Sequence, residues 1–368
     1  MQSMKHLVVV GAGVVGLSVS RAAVKEGYRV TLVDQGPIPN PHSASYDQHR
    51  MIRHQYGAAE GYTRMVGDAF GAWDRLWADL GLKLFRNSGA LAISLSPDDS
   101  TTKSLKTFQK LGISHQVLDS DGVERLCPQL TLPDGAWGLL AATGGPLYAG
   151  RIVEALAQWL AGKTIDMRPH TKVIKVDRAN ASVILEDGSS IQGDHLVIAA
   201  GAWLGELSLD ASDVPSYRQA LCYVEPPEAY AAAWLHGPCI SDLGPGGNYA
   251  LPPTDGNGLK FGSGSHRRLG KPSDGFQSDL AEEGAQILAI FAPFLRQAEH
   301  YRPLRIQVGY YVRDESRRFR IEQQGRTTLV TNCDGQMFKF GPLVGERVLG
   351  CLEGRQASSD LSRWAAGY

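Results

Sequence analysis

Two groups of residues in this chain have the types and spacing to do chemistry: an N-terminal glycine triplet and a few cations in otherwise uncharged loops. Gly11, Gly13 and Gly16 fit G-x-G-x-x-G. In that pattern the first glycine allows a tight turn, the second lets backbone approach a diphosphate, and the third lets helix and strand pack closely. Val14 and Val15 then open a helix whose free N–H groups and dipole favour negative charge. Asp34, followed by Gln35, stands about 20 residues further on, where an acid can bind ribose hydroxyls. The pattern serves NAD and FAD alike, so it establishes a dinucleotide site. The cations are Arg50 and Arg53 in a histidine-rich loop, Lys260 in Gly-Leu-Lys, and Lys339 in Phe-Lys-Phe. Arg53 as a planar fork and Lys339 as a point charge could hold a carboxylate between them.

Placing these residues demands particular elements. His6–Val10 reads as a buried strand, followed by the glycine turn, a helix from Val15 to about Gly27, and a strand Arg29–Val33 ending at Asp34. This βαβ opening requires a parallel sheet with helices on its faces. Residues 38–58, rich in Pro, His, Ser and Gly, form a long loop that carries Ser43, His49, Arg50 and Arg53. An amphipathic helix follows in which Phe70, Trp73, Trp77 and Leu80 share one face as core material. From Thr171 to Gly201 the chain reads as a meander that contains Val173, turns at Asp187-Gly188 and runs into Ala200, Gly201 and Trp203. Residues 210–275, including Tyr249 and Lys260, are strand and loop; a helix spans about 276–296. A hairpin around Gln324-Gly325 leads to Gly335, Met337, Phe338 and Lys339 and a final helix. No clean linker divides the chain, so its lobes interleave.

Bulk properties narrow the function classes. With 368 residues, two cooperating lobes are expected. A formal net charge of -1 argues against a nucleic-acid partner. No apolar run reaches the roughly 18 residues that cross a bilayer. The N-terminal apolar run is too short for an export signal and lacks a cleavage site. Five scattered cysteines without CxxC fit a reduced, cytoplasmic protein. His42, His49 and His54 lack metal-ligand spacing, so no metal is expected. The sequence leaves the oligomeric state open and is compatible with a monomer.

Four further stretches, in order, resemble the D-amino-acid-oxidase-like FAD-dependent oxidoreductases, nearest the monomeric sarcosine oxidase and N-methyltryptophan oxidase branch. They are SASYDQHRMIRHQYG from Ser43, YALPPTDGNGLKFG from Tyr249, VGYYVRDESRRF from Val308, and QMFKFGPLVGE from Gln336. The resemblance implies FAD and an α/β (α+β) fold. A Rossmann-like FAD-binding domain (1–85, 144–212 and 306–368) is interleaved with a substrate domain (86–143 and 213–305) on a mixed or antiparallel sheet with helices. It implies that Arg53 and Lys339 bind the substrate carboxylate, that Arg50 supports negative charge on the reduced flavin, and that Lys260 promotes reaction with oxygen. Tyr249 would form an active-site wall, with His49 beside the arginines. The cofactor would lie on Gly11, Gly13, Val14, Val15, Gly16, Asp34, Gln35, Ser43, Arg50, Val173, Ala200, Gly201, Trp203, Gly335, Met337, Phe338 and Lys339.

Two departures alter what the resemblance implies. Gly309 stands where the family has its flavin-linking cysteine, so FAD is expected to be noncovalent. Tyr46 and His49 replace the usual His and Thr, and the family's next histidine falls at Gly264, with His266 two residues on. The side-chain pocket is therefore its own. The expected reaction is oxidation of the carbon–nitrogen bond of an amino acid or amine, with oxygen or another acceptor reoxidising the flavin. The alternatives are a 2-hydroxy acid dehydrogenase, with His49 or His266 as base, and a flavin-binding subunit of a larger complex.

Overall fold

The computed structural model describes residues 4–207 and 214–368. Strand His6–Val10 is apolar and buried along its whole length, as a strand covered on both faces must be. It lies inside a six-stranded sheet ordered Arg320–Gln324, Thr327–Asn332, His195–Ile198, His6–Val10, Arg29–Val33, Ile165–Arg168. Every neighbouring pair is parallel except the edge pair Arg320–Gln324 with Thr327–Asn332. That edge pair is the expected hairpin, with Gly325 at φ +57°.

The chain leaves His6–Val10 through Gly11 at φ +98°, where a Cβ would collide with the Ala199 carbonyl. Helix Val14–Lys25 begins at once and ends two residues before Gly27. Helix Gly341–Leu352 packs on it without intervening side chains at Gly341 and Gly345; a Cβ at 345 would stand 2.5 Å from the Ser18 backbone. Helix Glu60–Leu80 buries Trp73 and Trp77 in the same core, with Phe70 and Leu80 partly buried beside them. These aromatics are core, as their spacing implied. Trp73 also has a second task, because its Nε1 donates to the Lys339 carbonyl at 2.7 Å.

The meander forms a three-stranded antiparallel sheet, Val173–Asp177, Ser182–Leu185 and Ser190–Gln192. Its turn is at Asp187-Gly188, where Gly188 takes φ +83°. A larger sheet of nine strands carries the second core. Ser216–Glu225 pairs antiparallel with both Leu259–Ser263 and Arg302–Val312, while Cys239–Leu243 and Ala90–Ser94 pair in parallel. The sheet is therefore mixed. Helix Leu280–Phe291, capped by Asp279, covers it with Phe291 stacked on Phe261 at 4.3 Å. It is shorter than the expected 276–296 because the flanks turn as loop and 3-10 segments.

Two further features differ from the sequence expectation. Residues 210–275 contain a helix, Glu228–His236. The expected lobe boundary at 306 would cut strand Arg302–Val312, which pairs along its length with Ser216–Glu225, so the return to the six-stranded sheet comes after Val312. The boundary expected at 212/213 falls on residues outside those described. No helix of the described residues is long and apolar enough to cross a membrane.

Candidate active site

The two sheets wall a cleft of about 1020 Å³. One end is the glycine turn. Gly11, Gly13, Val14 and Val15 line it, and the N-cap residue of helix Val14–Lys25, Gly13, has no side chain to cap it. The Val14 N–H instead meets Ser45 Oγ at 2.9 Å. Gly16 does not reach the cleft; its missing side chain lets the helix press on the Gly11 carbonyl, the packing role of the third glycine. Asp34 and Gln35 line the cleft beyond the turn. The Asp34 carboxylate accepts from Ala12 N at 2.8 Å, Gly36 N at 2.9 Å and Asn40 Nδ2 at 3.0 Å, which fixes its orientation. Ser43, Val173, Ala200, Gly201 and Trp203 continue the same wall.

At the other end stand Arg50, Arg53, Tyr249, Gly335, Met337, Phe338 and Lys339. Lys339 sits on the 3-10 turn Met337–Phe340, which Trp73 fastens from below. Its Nζ meets Tyr56 Oη at 2.9 Å and the Gln336 carbonyl at 3.3 Å. Arg53 lies over the Tyr56 ring, 4.8 Å from its centre. Among the described residues no carboxylate forms an ion pair with Arg53 or Lys339. Burial drives the Lys339 ammonium well below its ordinary pKa, and the positive charges of Arg53 and Arg50 push the same way. Such a pair of cations is stabilised by an incoming anion.

Arg50 and Lys260 have a different environment. Both pair with Asp47, a fully buried carboxylate: Lys260 Nζ lies 2.8 Å from Asp47 Oδ2, and the Arg50 guanidinium grips the same oxygen. The Tyr223 hydroxyl donates to its other oxygen. Burial opposes charge on Asp47, but Lys260 and Arg50 together hold its pKa below the usual carboxylate range. Burial lowers Lys260 to about 8, with Asp47 resisting and Arg50 adding to the fall. Arg50 reaches the cleft; Lys260 does not, because its ammonium is turned to Asp47 and the His49 carbonyl behind the wall.

His49 requires a correction. It is fully buried, its Nε2 faces the Pro252 carbonyl at 3.3 Å, and it does not line the cleft. Burial, helped by Lys260, lowers its pKa to about 3. It is neither a substrate contact nor a base in this geometry. His266 also stays out of the cleft, with Nε2 3.4 Å from Glu283 Oε1. His42 and His54 diverge, one stacked on Phe276 at 4.3 Å and the other on Phe70 at 5.6 Å.

Residues 6–349 match the family described as DAO, FAD dependent oxidoreductase. The chain belongs to that family. It is 26% identical over 353 residues to the peroxisomal sarcosine oxidase of Homo sapiens, covering 92% of this chain and 90% of that protein. It is also 26% identical over 378 residues to the N-methyl-L-tryptophan oxidase of Yersinia pestis (strain Pestoides F), covering 98% of each. The modified fructosyl peptide oxidase of Aspergillus nidulans, crystallised in complex with FSA, shares the fold, with a TM-score of 0.83 and 22% identity. That match covers 100% of this chain and 93% of that one.

This FAD-dependent oxidoreductase has a site that fits the cofactor of its family. The helix start, with glycine at its N-cap, suits a diphosphate, and the cleft runs from there to the cations. Gly335 at φ +64° lets its loop lie against the Tyr311 ring, where a Cβ would come within 3.0 Å. Gly309 lines the cleft, and its Cβ direction is open space. Sequence reading missed Asp47, which organises half of the cationic group. The signal was present, since it is the sole carboxylate in the loop from 38 to 58. Its partner Lys260 lies 213 positions away.

Proposed function

We propose that this enzyme oxidises the carbon–nitrogen bond of an amino acid or secondary amine that carries a carboxylate. The observation that supports it is the pair Arg53 and Lys339, two cleft cations without a carboxylate partner among the described residues. They would grip the substrate carboxylate, Arg53 through a planar two-pronged contact and Lys339 as a point charge. That grip sets the carbon beside nitrogen against the reactive ring, and a fixed geometry of this kind removes much of the entropic barrier. FAD, when bound, supplies the two-electron acceptor for the departing hydride. Gly11, Gly13, Val14 and Val15 would hold its diphosphate; Asp34 and Gln35 its ribose; Trp203, Met337 and Phe338 would shape the far wall. Arg50 would place positive charge beside the ring as it gains electrons, and Lys260, coupled through Asp47, would add to that field when oxygen or another acceptor takes the electrons away.

FAD is held noncovalently on this reading, because Gly309 offers no thiol. Acid precipitation should leave the yellow cofactor in the supernatant. A cytoplasmic location fits the five free cysteines. The deciding experiment is anaerobic titration of the purified yellow protein with amino acids, N-methyl amino acids and 2-hydroxy acids, scored by flavin bleaching. Bleaching by amino acids upholds the proposal. Bleaching by hydroxy acids alone overturns it; that chemistry needs a base, and neither His49 nor His266 reaches the cleft.

A further inference from the structure

Among the described residues, the cleft has an anion without a cation partner as well as cations without an anion partner. Asp242 lies on strand Cys239–Leu243, which pairs in parallel with Ala90–Ser94. The register slips there: Ile240 opposes Leu91, and Asp242 opposes Ala92, leaving Ser241 as an extra residue. A bulge of this kind re-aims the side chains that follow it. Ser241 turns inward, its hydroxyl donating to the Leu91 carbonyl at 3.2 Å, and Asp242 lines the cleft, half-buried. The position is firm. Asn248 Nδ2 ties down the following loop through the Leu243 carbonyl at 2.8 Å and the Pro245 carbonyl at 3.0 Å.

Asp242 has no side-chain hydrogen-bond partner and no ion-pair partner among the described residues; the Arg53 charge and the adjacent Leu243 N–H favour its ionised form. Its neighbour on the wall, Asp99, is spent on structure, accepting from Thr102 N at 2.9 Å, Leu95 N at 2.9 Å and Ser96 N at 3.3 Å. Arg53 faces the same cleft without pairing with Asp242. Burial raises the Asp242 carboxyl to about 6, Arg53 pulls it down, and Asp99 pushes it up. At neutral pH the group is mostly ionised, and it is costly in that state without a partner.

We propose that Asp242 receives a positively charged group at the far end of the substrate side chain, so that the cleft selects amino acids with an ammonium or guanidinium side chain. The inference rests on the carboxylate anchor argued above and names the class of substrate it serves. The substrate's own α-nitrogen is a poor partner for this carboxylate. It has to lie beside the carbon that loses hydride and shed its proton to be oxidised, and an ionised carboxylate would hold that proton in place.

The test compares lysine with norleucine and arginine with citrulline, each as the free and the N-methyl amino acid, by anaerobic bleaching of the holoenzyme and by kcat/KM. The wild-type enzyme is expected to prefer each basic substrate over its neutral partner by about 30-fold or more, the scale of a desolvated charge pair. Asp242→Asn should bring that ratio close to one, and Asp242→Glu should keep part of it. The ratio does not depend on the amount of folded protein, so poor folding cannot imitate the result. A wild-type ratio near one, or a ratio that Asp242→Asn leaves in place, overturns the proposal. If neutral amino acids bleach the flavin in an Arg53-dependent way while the ratio stays near one, the anchor stands and Asp242 alone is misassigned. If no amino acid bleaches it, both readings fall together.

Discussion

Arg50 with Lys260 and Arg53 with Lys339 are two arginine–lysine pairs that draw on one loop and yet have opposite fates. The first pair closes on Asp47, so its charge is largely satisfied within the protein. The second pair has hydroxyl, ring and carbonyl neighbours but, among the described residues, no carboxylate ion-pair partner, and it faces the cleft. On the proposed reading, identical residue types become framework in one place and binding site in the other, and the carboxylate at position 47 decides which. A cation's role follows from the charge that remains after its neighbours are counted.

Four experiments would break or sharpen that contrast. The largest effect belongs to the unpaired cations. Arg53→Met or Lys339→Met should lower kcat/KM for amino acid substrates by about 100- to 1000-fold, the loss typical of one partner of a desolvated pair. Amines without a carboxylate should be nearly indifferent, and an equal loss on both would sink the anchor. Next comes Asp47→Asn, which leaves Lys260 and Arg50 buried side by side. A loss of about 3 kcal/mol in unfolding free energy is expected, the low end for breaking a buried ion pair. Adding Lys260→Met should return part of it, since the orphaned charge is then gone. Denaturant melts of the single and double variants check this.

Lys260→Met should have a smaller, selective effect. Its charge is offset by Asp47 and lies behind Arg50, so reoxidation by oxygen should slow by about tenfold, equivalent to about 1.4 kcal/mol. Anaerobic reduction by substrate should persist. A stopped-flow comparison of the two half-reactions separates them, and equal slowing of both would show that Lys260 merely holds the fold. The mildest effect is on pH. A lysine with a depressed pKa sheds its proton earlier than usual, and a carboxylate ligand favours the charged form. Substrate affinity should therefore be greatest at low pH and weaken as pH rises through the lowered Lys339 pKa. Lys339→Met should flatten that slope.

Much of the fold was legible because its signals are local. The glycine turn, Asp187-Gly188 and Gln324-Gly325 each specify backbone over a few residues, and the structure places turns at all three. Helix Glu228–His236 also had a signal, an alanine-rich run between Pro227 and Gly237, but its apolar residues encircle the helix and give no periodic face. The cleft was harder to read. Arg53, Tyr249 and Lys339 line it. His49 and Lys260 do not, because the side of the wall a residue occupies is set by partners far along the chain. The importance of Asp242 depends on a register slip between strands Ala90–Ser94 and Cys239–Leu243, and nothing local to either segment encodes that slip.

The sheet behind the glycine turn gathers strands from distant parts of the sequence: His6–Val10 is flanked by His195–Ile198, which in turn pairs with Thr327–Asn332. The helix that presses on Val14–Lys25 comes later still, at Gly341–Leu352. During synthesis the nascent N-terminus therefore waits, incomplete, until nearly all of the polypeptide has left the ribosome. A chain stalled before Arg320 would lack the last two strands of this sheet and the helix after them, and is expected to emerge without bound dinucleotide.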